Sequence, residues 1–276
     1  MTVDMGTVWD RTTEFLSDNL GAIVPVFAGA LWLPRTLSTL LGKAASAGGS
    51  PSPMVGLFVL LLVLPTVWGN LAIAAHALDP DSGAVPARQA ATRSFGYAVL
   101  IMIVIAIVQF ALLLPVPIAL AVGGLDVQAL AAGDGRAAMA SVSGGVKTFV
   151  ALYAVVWLVV ALVISVRTAL AMPALIAERA GMGAIARAFA LSRGIAWKMI
   201  GVYLLFFMVL GVASTAVTYV SGAIFGLLLP DTGAWGIGSI ITAVLSGLVS
   251  AIGALVIAAF GAKLYRAVTA GAAKPA

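Results

Sequence analysis

Glu178 lies eleven residues after Arg167 and nine and fifteen residues before Arg187 and Arg193. A carboxylate among guanidinium groups can form a forked ion pair, hold an anion between the cations, or act as a base if it is left unpaired. On one straight helix, eleven residues put Arg167 and Glu178 roughly 16 Å apart along the axis, too far for a direct pair. The expected partners are Arg187 or Arg193, on the connector that follows. Arg167, Glu178, Arg187 and Arg193 are therefore read as a structural ion-pair collar at the membrane surface.

The rest of the chemically capable inventory is thin. His76 is the only histidine and there is no cysteine, so a multi-histidine or thiolate metal site and thiol catalysis are excluded. His76 itself is expected as a solvated ring near the interface. The ten carboxylates are scattered as Asp4, Asp10, Glu14 and Asp18; Asp79 and Asp81; Asp126 and Asp134; Glu178; and Asp231. No P-loop, GxSxG or HExxH pattern appears. The reading is of a non-enzyme, with no catalytic, cofactor-binding or metal site.

The charges are sparse because the chain between them is apolar. The stretches Ala44–Leu78, Ser94–Leu125, Thr148–Val166, Met199–Pro230 and Thr232–Ala262 contain no Asp, Glu, Lys or Arg. Each is long enough to cross a hydrocarbon layer, which takes about 20 residues of helix. A weaker run, Leu20–Pro34, continues past Arg35 through Thr36–Gly42. Hydrophobic residues make up 62% of the chain and charged residues 9%, which excludes a soluble single domain. None of the runs has the alternation of a barrel strand, so backbone satisfaction in lipid demands helices. The fold class is all-α, a polytopic transmembrane helical bundle of about six crossings with short interfacial amphipathic helices.

The crossings are expected near 20–41, 54–77, 96–120, 148–172 with an extension past Pro173, 197–220 and 236–262. Pro25 and Pro34 are expected to bend the first. Residues 1–19 form an interfacial amphipathic segment whose acidic character is unlike a signal peptide, 20–267 the six-helix domain, and 268–276 a C-terminal tail. Loop 123–146 is expected to hold a short helix or a mobile segment. Placing both termini in the cytoplasm puts eleven Lys and Arg on that side and four on the other, which favours this orientation. The net charge of +5 is too dispersed for a nucleic-acid surface. Connectors 82–94 and 183–194 share an Ala-Arg pair followed by Ala, at Ala87-Arg88 with Ala91 and at Ala186-Arg187 with Ala190. Chance in an alanine-rich chain explains this as well as a repeated two-helix unit does.

Within the spans, Arg35 is expected to snorkel to the far interface, and Asn70 and Gln109 to make helix-to-helix hydrogen bonds. Gly211 and Thr215 on the fifth helix, with Ser246, Gly247, Ser250, Ala251 and Ala254 on the sixth, form small-residue faces suited to close helix packing or to a partner protein.

Met172-Pro173, Glu178-Arg179 and Gly181, then Ala186-Arg187, Ala190-Leu191-Ser192-Arg193-Gly194 and Trp197, make up a motif. This motif resembles the membrane domain of the glycerophosphoryl diester phosphodiesterase type, a group of bacterial six-helix proteins. Trp9, Phe15 and the closing Tyr265-Arg266 fit the same plan. The specific motif covers only about 167–197. The group takes its name from members fused to a soluble hydrolase that needs a histidine pair and metal-binding carboxylates, which these 276 residues do not supply. The resemblance implies a non-catalytic module of the bacterial inner membrane, a lipid-contacting scaffold or an accessory subunit of other integral membrane proteins. The competing expectation is a small-molecule or lipid transporter built on proline-broken helices.

Overall fold

A computed structural model describes residues 3–47, 53–131, 134–228 and 235–272; Asp231, Lys274 and the last four residues of the expected tail lie outside them. Six helical spans are long and apolar enough to cross a membrane: Leu20–Ala45, Pro53–Leu78, Ala84–Val122, Gly144–Glu178, Ala196–Leu228 and Ile237–Gly271. No strand occurs among the described residues. The protein is an all-α, multi-pass bundle. Several spans outrun their uncharged cores, because helix propagation costs little once a turn is formed. The sixth thus continues through residues assigned to the tail, as far as Ala272.

An amphipathic helix, Met5–Asp18, precedes the spans. Asp4 caps it, accepting from the Gly6 N–H at 3.0 Å and the Thr7 hydroxyl at 2.8 Å. Its buried residues Val8, Thr12 and Phe15 recur at helical spacing and dock on the end of the sixth span. There the Trp9 and Phe260 rings stand 6.5 Å apart, and the Lys263 ammonium sits 4.7 Å from the centre of the Phe15 ring. This helix, the 79–83 turn, the connector after the fourth span and the end of the sixth share one face, called the terminal face below.

The sixth span is the central post, packing against the first, second, fourth and fifth spans and the N-terminal helix. Its buried Ala243, Gly247, Ala251, Ala259 and Ala262 let neighbouring backbones approach closely. That matters because lipid supplies little hydrophobic drive for helices to associate, so contact must come from packing. The third to fifth spans turn most of their surface outward, as Leu205, Met208 and Val212 illustrate.

Prolines break the spans in specific ways. After Pro25 the first span opens into a π-helical stretch, Phe27–Trp32, and the Leu33 N–H reaches back five residues to the Ala28 carbonyl. This wide turn directly precedes Pro34, whose ring would crowd an ordinary turn. The third span breaks at Leu114, before Pro115, where the Tyr153 hydroxyl donates to the Leu112 carbonyl at 2.5 Å. In the 123–146 segment two short helices, Val127–Ala131 and Gly135–Ala140, are capped by Asp126 and Asp134. The two similar connectors are not equivalent in structure. Ala87 and Ala91 are buried, whereas Ala186 and Ala190 are exposed.

Candidate functional site

The fourth span ends at Glu178, and Arg179 adopts a left-handed conformation with φ 50°. Gly181, with φ 53°, completes the reversal, its Cα facing the Tyr97 ring. The chain then enters a short helix, Gly183–Leu191, which carries Arg187 beneath Glu178. The Arg187 Nε donates to both carboxylate oxygens, at 2.8 Å and 3.0 Å. The Tyr265 hydroxyl, from the sixth span, donates to Oε1 at 2.6 Å. Arg187 is raised above its ordinary pKa, chiefly by its hydrogen bond to Glu178. This knot ties the fourth span, its connector and the sixth span together.

The other two members of the expected collar are placed elsewhere. Arg167 stacks on the Phe189 ring with its guanidinium carbon 5.9 Å from the centroid, because its own helix holds it well inward of Glu178. Arg193 lies past the end of the short helix, before the turn at Gly194, and is exposed. Of the four expected collar members, only Arg187 and Glu178 form an ion pair with each other. Tyr265 was missed as a partner, since a contact across 87 positions leaves no local mark in the sequence.

The small-residue face divides in three. Gly247 and Ala251 are buried in helix packing, and Ser246 shares a 3.1 Å hydrogen bond with Thr218 on the fifth span. Ala254 lines a hollow between the spans. Gly211, Thr215 and Ser250 are exposed on the bundle's outside.

His76 also departs from expectation. It is buried at 5% exposure, with Nε2 3.1 Å from the Asn19 Oδ1 and its ring edge-on to Phe15 at 5.5 Å. The N-terminal helix covers it, which removes it from solvent.

The hollow has a volume of about 410 Å³ and is walled by all the spans except the fifth. Its polar lining is Arg35, Asn70, Ser165 and Thr168; Ile105, Met172, Pro173 and Ile257 supply apolar wall. Arg35 does not run to the far interface. Helical side chains lean toward their own N-terminus, and the Arg35 Nη1 donates back to the Leu31 carbonyl at 3.2 Å. Gln109 donates across to the Ala161 carbonyl of the fourth span at 3.5 Å, but the buried Asn70 Oδ1 has no hydrogen-bond partner. Sequence reasoning found Arg35, Asn70 and the prolines separately. Their convergence depends on the tertiary crossing of spans.

Comparison with protein-family models, with curated proteins and with solved structures finds no match to this chain.

Proposed function

We propose that this chain is a non-catalytic protein of the bacterial inner membrane, with both termini cytoplasmic, that works by holding a lipid or similar amphiphile between its spans. The observation that carries this is the 410 Å³ hollow, whose size falls in the usual range of ligand sites and whose walls join an arginine and a free amide to apolar surface. The interrupted first span and Pro173 flank it, as broken helices flank substrate sites in carriers. Kinship with the phosphodiesterase-type membrane domains belongs to the same proposal and rests on the motif between Met172 and Trp197.

An accessory-subunit role is the second reading, favoured by the outward position of Gly211 and Thr215. The two readings separate in one measurement, native mass spectrometry of the gently purified protein. Ala258 also lines the hollow, and lipid holding predicts a retained lipid that Ala258→Phe, filling that space, expels. If wild type and A258F retain the same lipids, the hollow is not the site.

A further inference from the structure

We infer that the hollow takes the head of an acidic phospholipid that also carries a free hydroxyl, clasped by Arg35 and Asn70. This rests on the lipid-holding reading and specifies its ligand. A guanidinium offers five N–H donors and cannot shed its proton in a protein. Among the described residues, the only acceptor for Arg35 is the Leu31 carbonyl. Among the described residues no carboxylate lines the hollow, and Glu178, at the end of the fourth span, is already engaged by Arg187 and Tyr265. A half-buried cation among apolar spans calls for a counter-charge, and what enters the hollow supplies it.

The fork of a guanidinium fits a phosphate or a carboxylate equally well. Asn70 adds a second demand. Its buried Oδ1 has no hydrogen-bond partner, and it is an acceptor that an ionised oxygen carrying no hydrogen cannot satisfy. Thr168, which donates to the Ile164 carbonyl, likewise presents an oxygen able to accept. A ligand that fills the set must therefore bring negative oxygens for Arg35 and a hydroxyl donor for Asn70. Ile105, Met172 and Ile257 then leave an apolar path for acyl chains. A phosphodiester head with hydroxyls, as in phosphatidylglycerol, meets all these demands.

The test uses the full chain, delipidated in a non-ionic detergent and titrated with short-chain phosphatidylglycerol, phosphatidylcholine, decanoate or inorganic phosphate. One equivalent of phosphatidylglycerol should bind at least tenfold tighter than phosphatidylcholine, and Arg35→Gln should erase that preference, as loss of a charged hydrogen bond costs roughly tenfold or more. Asn70→Leu should weaken phosphatidylglycerol while leaving decanoate unchanged. If R35Q does not fold, Arg35→Lys decides, since it keeps the charge but loses the fork and should bind several-fold more weakly. Unchanged preference in the arginine variant overturns the assignment, and so does inorganic phosphate binding as tightly as the lipid. Equal binding of both phospholipids that Ala258→Phe abolishes sinks the headgroup but leaves lipid holding intact; binding that A258F does not touch sinks both.

Discussion

Gly247 of the sixth span lies against the backbone of Thr36 in the first, so that a Cβ on Gly247 would stand 3.0 Å from both the Thr36 nitrogen and Cα. Backbone cannot move aside as a side chain can. Gly247→Ala should therefore destabilise the bundle by about 1–3 kcal/mol, the usual cost of overpacking. At Gly253 the obstacle is the end of the Leu210 side chain, 2.5 Å from the added carbon, which can rotate away. Gly211 has open space. Thermal melts in detergent should rank the alanine variants Gly247, Gly253, Gly211 from most to least damaged. A Gly211 variant as damaged as Gly247 would mean that the outer face is packed against something.

The knot around Glu178 is predicted to be structural. Glu178→Ala removes a forked pair and a tyrosine hydrogen bond at once, but the pair is 45% and 32% exposed, so solvent weakens it. The loss should be about 1 kcal/mol, with the number of crossings unchanged. Tyr265→Phe should reproduce part of it, whereas Arg193→Ala should leave the melting temperature alone. A melt of Glu178→Ala that superimposes on wild type removes the idea.

The cap of the N-terminal helix should depend on pH. Hydrogen bonds from the Thr7 hydroxyl first, and then the Gly6 N–H, hold the Asp4 carboxyl below its ordinary value of 3.8. A carboxylate with a lowered folded pKa stabilises fully above that ordinary value and loses its contribution as pH falls through the folded one. The Gly6 amide resonance should titrate with a midpoint under 3.8. Asp4→Asn keeps a good capping side chain but has nothing to titrate, so its Gly6 signal should stay still. A wild-type midpoint above 3.8 would contradict the cap.

How far the sequence could be read depended on the range of the physics involved. The spans were legible because an apolar run fixes a helix in lipid from its own residues, and Glu178 with a connector arginine, Arg187 or Arg193, was legible because both candidates lie only a short stretch of chain away. Asp4 and Phe15 were visible as members of an amphipathic segment for the same reason. Tyr265 against Glu178, His76 beneath Phe15 and Arg35 near Asn70 were not, since each joins elements far apart in the chain. Small residues were the hardest to place. Gly247 and Gly211 look alike in sequence, yet one is locked in a helix crossing and the other faces out.

Orientation follows from charge. The terminal face carries Arg11, Arg88, Arg187 and Arg266, and the opposite ends of the spans with their connectors carry Lys43, Arg136 and Lys147, so the terminal face should be cytoplasmic. A phosphatase reporter fused at Ala276 should be silent and one inserted after Gly135 active. The opposite pattern would invert the topology.

The final prediction is that the chain hydrolyses no glycerophosphodiester. Metal-assisted phosphodiester hydrolysis needs carboxylates or imidazoles converging on a divalent ion, and an acid or base positioned on the reacting group. Three acids line a basin of about 590 Å³ on the terminal face, where Glu14, Asp18 and Asp81 share the lining with Arg11, Lys263 and Arg266. Three interleaved cations would repel the metal that the acids attract. His76, the only imidazole, is buried behind Phe15 and engaged with Asn19. Among the described residues, no three His, Cys, Asp or Glu side chains are placed to hold a metal. Purified protein assayed with glycerophosphodiesters and added magnesium, calcium or manganese should therefore match a buffer blank. Metal-dependent turnover that disappears in a Glu14→Gln, Asp81→Asn variant would make the basin a catalytic centre and overturn the non-enzymatic reading.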